Sequence, residues 1–277
     1  MKYSDSIHLR TIIVKRTGTW PDKFPHNIRI IKNLTEIDFS SQVTFFVGEN
    51  GCGKSTLLEA IACAAGSTTV GSESVTTDKS LAGVRSLAKD FRLSWSKKTN
   101  RGFFMRSEDF FGFARKQVSI REELQENLEE VEREYANRSE TARHYARSAY
   151  LGELGAMRRK YGDGRDLETY SHGESYLTLF EARFVPGGLY LLDEPETPLS
   201  PLRQLSFLVI LKRMVEQNAQ FIIATHSPII MAFPDAVTLN LDGEKIEKIN
   251  YEDIEHVRLT KTFLENPERY LKALFEE

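Results

Sequence analysis

Cysteine is scarce. Cys52 and Cys63 are the only two in 277 residues, too few for a disulfide framework or a zinc set. Free thiols in a reducing cytoplasm are the expectation. Long apolar runs are missing as well. No stretch approaches the roughly 20 uninterrupted apolar residues of a membrane helix, and MKYSDSIHLRTIIVKR at the N-terminus lacks the apolar core of a signal peptide. A cytoplasmic chain with no membrane partner is therefore expected. Nor does one sign of charge dominate: 37 Lys and Arg against 40 Asp and Glu give a formal net charge of −3. That excludes an overall basic field for coating nucleic acid while leaving room for a local basic patch. The rest is an ordinary globular composition, 40% hydrophobic and 28% charged, long enough for one large domain or two small ones.

Apolar strands alternate with helices, the pattern of a mainly parallel sheet with helices packed on it, an α/β fold. Val43–Val47, Leu189–Leu192 and Phe221–Ala224 read as buried strands, and Thr56–Ala65 (ended by Gly66) and Gln204–Gln217 as helices. Ile7–Val14 and Leu34–Phe39 read as further strands. Phe91–Trp95 and Gly102–Arg106 suggest a strand pair joined by the polar turn SKKTNR. From Ser119 to Tyr150 apolar residues, among them Leu124, Leu128, Val131 and Tyr145, recur at helical spacing within dense Glu and Arg. A single helix of roughly 48 Å with one apolar edge is expected there, inside a helical insertion over 107–170 that Gly152, Gly155, Gly162 and Gly164 close. Val237–Ile249 reads as a hairpin turning through positive φ angles at Asp242-Gly243. The tail from Tyr251 reads as helix, interrupted near Asn266-Pro267.

The chemistry concentrates in three places. Gly48-Glu49-Asn50-Gly51-Cys52-Gly53-Lys54-Ser55-Thr56 fits G-x-x-x-x-G-K-[ST] between a strand and a helix. Glycines let the backbone curl until several N–H groups point at one spot, and the helix N-terminus adds partial positive charge, so the loop cradles phosphate. Lys54 is expected to reach the β and γ phosphates of a nucleoside triphosphate, and Ser55 to ligate Mg²⁺. Leu189-Tyr-Leu-Leu-Asp193-Glu194 is an apolar strand ending in two carboxylates. Asp193 is expected to hold Mg²⁺, and Glu194 to take a proton from attacking water. Ala224-Thr-His226 ends a third strand on the same ligand-binding edge, which makes His226 a candidate γ-phosphate contact.

In this order the motifs resemble the ABC-type ATPase superfamily, specifically the soluble branch holding chromosome-maintenance ATPases, DNA-repair ATPases and the ATPase portions of OLD nucleases. The deciding element is Tyr170-Ser171-His172-Gly173-Glu174-Ser175, eighteen residues before Asp193, which looks like the family signature Leu-Ser-Gly-Gly-Gln. Ser171, Gly173 and Glu174 stand in the serine, second glycine and glutamine places; a plain N-cap with a capping box is compatible with the same residues. The resemblance implies a P-loop fold with an antiparallel β portion near the N-terminus and a helical subdomain. It also implies ATP and Mg²⁺ as ligands, and a head-to-tail homodimer in which this turn faces ATP held by the other copy.

The chain departs from the family pattern in three respects. His172 replaces the first signature glycine, Thr197-Pro-Leu-Ser200-Pro201 lacks the D-loop aspartate, and no clear Q-loop stands out. Gln117, Ser107 and Glu108 are the candidates for the last, and Trp20 or Phe24 for a base-stacking aromatic. Arg143, His144, Arg147, Arg158, Arg159, Lys160 and Arg165 gather around the insertion. Interspersed Glu makes a solvated face the plainer reading and contact with a nucleic-acid backbone the alternative. An ATPase that drives or licenses a protein effector or DNA partner, in repair or phage defence, is the leading expectation. An ABC-transporter subunit, a regulatory ATP sensor and a nucleotide kinase are the alternatives.

Overall fold

The computed structural model describes residues 6–15, 20–70, 75, 81–161 and 172–275. Within them the strands are β1 (Leu9–Val14), β2 (Glu36–Asp38), β3 (Val43–Val47), β4 (Phe91–Trp95), β5 (Gly102–Arg106), β6 (Leu189–Asp193), β7 (Gln220–Ala224), β8 (Val237–Asn240) and β9 (Glu247–Ile249). The helices are α1 (Arg29–Lys32), α2 (Lys54–Ala65), α3 (Val84–Ala88), α4 (Ser107–Glu134), α5 (Glu140–Tyr161), α6 (His172–Arg183), α7 (Pro201–Glu216), α8 (Pro228–Met231), α9 (Glu255–Glu265) and α10 (Pro267–Phe275).

The strands form a six-stranded sheet of order β5-β6-β7-β3-β8-β9 and a three-stranded antiparallel sheet of order β2-β1-β4. In the large sheet only β9 runs against its neighbour. β3, β6 and β7 are buried at every position, because helices or the small sheet cover both faces. Alternation along these strands divides the core. Phe46, Leu191 and Ile222 join the cluster containing Leu57 and Ile61 of α2 and Ile12 of β1. Phe45, Tyr190 and Phe221 join the cluster containing Phe180 of α6 and Phe207 of α7. The mainly parallel sheet, the antiparallel portion near the N-terminus and the helices match the expected fold class. No helix among the described residues is long and apolar enough to cross a membrane.

One buried amide locks the sheets together. Gln220 at the start of β7 is fully buried; its Oε1 accepts from the backbone N–H of His8 (2.9 Å) and Leu9 (2.8 Å), and its Nε2 donates to the Leu9 carbonyl (2.9 Å). Both ends of the side chain are satisfied, so burying it costs little.

Several expectations need correction. β4 and β5 are consecutive but do not pair: β4 lies against β1, whereas β5 is the edge of the large sheet beside β6. The polar link between them crosses from one sheet to the other. The 119–150 region is not one long helix. It breaks at 135–139, where Ser139 accepts from the Ala142 N–H (3.3 Å) and starts α5. α4 and α5 pack side by side, and Arg147 of α5 reaches Glu132 of α4 at 3.0 Å. Tyr145, assigned to the apolar edge, is 74% exposed. Gly152 and Gly155 lie inside α5 rather than closing the excursion, while Gly162 and Gly164 lie outside the described residues. β8 and β9 do form a hairpin, yet neither Asp242 nor Gly243 has a positive φ. Their loop is longer than a two-residue turn, and the Asp242 carboxylate is turned instead into the glycine loop.

Candidate functional site

Because five strands of the large sheet are parallel, their carboxyl ends share one edge. Arg106, Asp193 and Ala224 stand level there in adjacent strands, with Val47 and Asn240 paired alongside. The three expected motifs therefore converge, since each follows one of these strand ends.

The glycine loop leaves β3 and ends on α2. Gly48, Gly51 and Gly53 have φ of 145°, 83° and 107°, the left-handed region that side chains avoid. At Gly48 a Cβ would stand 2.7 Å from Asp242 Oδ1 and 2.9 Å from Cys52 Sγ. Asp242 is a partner that the sequence did not disclose: its carboxylate accepts from the Glu49 N–H and pins the loop to the end of β8. Glu49, Asn50 and Gly51 are exposed, Cys52 is half-buried, and Lys54, Ser55 and Thr56 open α2. Lys54 is only 5% exposed, and its Nζ donates to the carbonyls of Gly48 (2.8 Å) and Glu49 (3.0 Å). The ammonium thus closes the loop on itself. Neither Cys52 nor Cys63 is in a disulfide, and burial pushes the Cys52 thiol up.

Ser55 Oγ donates to Asp193 Oδ1 at 3.1 Å, joining loop and second strand. Burial raises the Asp193 carboxyl to about 7, against the lowering effect of that hydrogen bond. Glu194 follows with φ 47°, a backbone state that costs a non-glycine residue about 1–3 kcal/mol and gathers at functional sites. Its N–H is held by the Ala224 carbonyl at 2.8 Å. The Glu196 carboxylate, which sequence reading passed over, accepts from the His226 N–H at 2.7 Å. It is pushed up mainly by burial. Its place two residues after Glu194 was the only available signal. His226 stands at the same edge, its imidazole held below the ordinary range first by burial and then by Lys54.

Arg106 is another omission. It stands opposite Asp193, bonded to Asp109 (3.1 Å) and within 3.6 Å of Glu59. Gln117 lies well inside α4, away from the strand end, and the side chains of Ser107 and Glu108 lie outside the described residues. Ser171 and the side chain of Glu174 also lie outside them; the backbone of His172 and Gly173 opens α6, a helix N-terminus as expected. Trp20 stands edge-on to His26 at 5.0 Å, and Phe24 is 56% exposed beside Gly83. The side chains against Gly53 belong to Ile28 and Ile30, not to either ring.

A serine hydroxyl and a buried carboxylate are hard oxygen donors, the set Mg²⁺ takes. Among the described residues no group of three or more His, Cys, Asp and Glu side chains could hold a metal.

Comparison with known proteins adds to this geometry. Residues 26–145 match an AAA domain. The AAA-domain stretch includes the whole glycine loop and ends before Asp193, Glu194 and His226; it agrees with the P-loop ATPase resemblance read from the motifs. None of the curated proteins matches the chain. Among solved structures, the chain is similar to MJ1267, an ATP-binding cassette of an ABC transporter in its ADP conformation, at 16% identity over 98% of this chain and 99% of that one (TM-score 0.46). It is also similar to the Smc head domain of Pyrococcus furiosus bound to the C-terminal domain of ScpA, at 13% identity over 94% and 100% (TM-score 0.45). A third similarity is to cbiO1 of Clostridium perfringens, part of the ABC transporter complex cbiONQ, at 14% identity over 98% and 100% (TM-score 0.44).

Proposed function

We propose that this chain binds ATP with Mg²⁺ at the carboxyl edge of the large sheet and hydrolyses it. The observation that carries the reading is the closed loop: a buried Lys54 ammonium held by two loop carbonyls, with Ser55 bonded to Asp193 beside it. The loop N–H groups and the N-terminus of α2 take the phosphate oxygens, and Lys54 lies where the outer phosphates arrive. Ser55 and Asp193 are the residues that would hold Mg²⁺, which would neutralise charge on those phosphates. Glu194 accepts a proton as water forms a bond to the γ-phosphorus and the bridging bond to ADP breaks. His226 donates to the γ-phosphate.

Further from the chemistry, the turn Ser171–Glu174 completes the ATP site of a second copy, so ATP closes a head-to-tail homodimer that hydrolysis reopens. The output is motion delivered to a protein effector or to DNA. Support for this part comes from the signature-like motif and from a helix that begins at His172.

Glu194→Gln tests both parts. Turnover should fall by about 100-fold or more, while ATP binding persists and mass measurement with ATP shows a trapped dimer. Unchanged turnover removes Glu194 from the chemistry, and a constant monomer mass removes the shared site. Stimulation of the wild type by double-stranded DNA would choose DNA over a protein effector.

A further inference from the structure

His256 lies in the first turn of α9, thirty residues from His226 in sequence, and nothing in the motifs points to it. In the fold the two imidazole rings stand 6.0 Å apart between centroids, at an interplanar angle of 52°. The Nε2 atom of each ring is buried and has no hydrogen-bond partner among the described residues. Two orphaned nitrogens side by side are unusual, because buried polar atoms are nearly always paired. The rings do not bond each other, so each Nε2 is available to a third polar group.

The surroundings define that group. After burial, the groups that act electrostatically on His256 are the second ring, His226, together with Glu49 and Lys54 of the glycine loop and the Asp242 carboxylate that pins it. Burial holds both rings below the ordinary imidazole range, so each is neutral near pH 7 and offers one N–H. An oxygen-rich anion seated over Lys54 can accept from both. A hydrogen-bonded acceptor lies about 2.8 Å from each nitrogen, a spacing that rings 6.0 Å apart can share.

We propose that His256 is a second imidazole donor to the terminal phosphate of the bound nucleotide, acting with His226. This rests on the ATP-binding reading above and adds a residue and a consequence to it. ATP is held by a contact that ADP cannot make, and α9 is tied to the presence of the γ-phosphate. The same helix exposes Leu259 (54%) and Leu264 (70%), so the nucleotide state reaches an outer surface through one rigid element.

Calorimetric titration of the full chain with ATP and with ADP, both with Mg²⁺, tests the assignment. His256→Leu should weaken ATP about tenfold or more, the loss for a hydrogen bond to a charged group, and leave ADP within about twofold. His256→Gln keeps an N–H donor near the Nε2 position and should bring ATP affinity back to within about twofold of wild type. Equal losses for ATP and ADP would mean that His256 only supports the fold and would overturn the proposal, as would no loss for either. If His256→Leu does not fold, His256→Gln and His256→Asn replace it: Gln near wild type with Asn weakened for ATP alone supports the assignment, and equal behaviour of the two overturns it. A wild type that binds neither nucleotide defeats the ATP reading itself, before any variant is compared.

Discussion

At the carboxyl edge of the large sheet Lys54 is 5% exposed and Asp193 8% exposed, whereas in the α4–α5 hairpin the paired Arg147 and Glu132 side chains are 41% and 48% exposed. Both regions are rich in charge, but they place it differently. Burying a charge costs free energy unless a partner or a shifted pKa compensates. The sheet edge accepts that cost repeatedly, in Asp193, Glu196, His226 and His256. The Arg147–Glu132 pair of the hairpin stays largely in water, where such pairs contribute little. Charge that burial penalises, gathered at one sheet edge, supports a ligand site there; charge left in water supports none. Arg143, His144 and Arg147 of the basic cluster therefore carry less argument than their density in the sequence suggests, while Arg165 and the side chains of Arg159 and Lys160 lie outside the described residues.

Three substitutions would sharpen or break this contrast. The largest effect belongs to Gly102→Ala, in the strand that joins the two regions. Gly102 has φ 111°, and a Cβ there would lie 1.8 Å from the Leu189 carbonyl oxygen. With the β5–β6 register lost, stability should fall by about 3 kcal/mol or more, read as a lower urea midpoint. A change under about 1 kcal/mol would mean that the hairpin hangs on the sheet more loosely than the register implies.

Next is Asp193→Asn, read through pH without nucleotide or metal. The folded-state pKa of about 7 lies above the carboxyl's ordinary value. Between that ordinary value, near ~4, and 7, the folded chain therefore holds a proton that the unfolded chain has lost. The contribution of this carboxyl to stability falls as pH rises through the window, by up to roughly 4 kcal/mol. The variant should gain on the wild type in Tm from pH 5 to pH 8. A constant difference would show a carboxyl that is not desolvated. Comparing variant with wild type isolates this group from His226 and His256, whose depressed pKa values act in the opposite direction.

The smallest effect is expected from Arg147→Ala in the hairpin. An exposed pair at 3.0 Å should be worth less than about 1 kcal/mol, and any loss should shrink further in high salt. A loss above about 2 kcal/mol would place this pair among the buried charges and erase the contrast.

Residues close in sequence were the readable ones. The strand from Val43, the glycine loop and the helix to Ala65 are consecutive, so strand period, loop glycines and helix formers all lie within one short span. The runs of β6 and β7 were equally plain, since a strand buried on both faces needs unbroken apolar residues. Asp193, Glu194 and His226 were readable as candidates because each stands at the end of such a run or directly after it. Where β4 and β5 go was not readable, because alternation marks a strand without naming its partner. The helix break at 135–139 was hidden by an apolar spacing that continues across it.

Glu196, Asp242 and His256 reach the site through folding, from 30 to roughly 190 residues along the chain from their partners His226 and Glu49. The amino-acid sequence alone determined the phosphate loop and the strands around it, since backbone conformation there depends on neighbouring residues. Only the tertiary structure decided which distant side chains gather beside that loop and His226, because burial and hydrogen-bond pairing are properties of assembled elements and leave no local pattern.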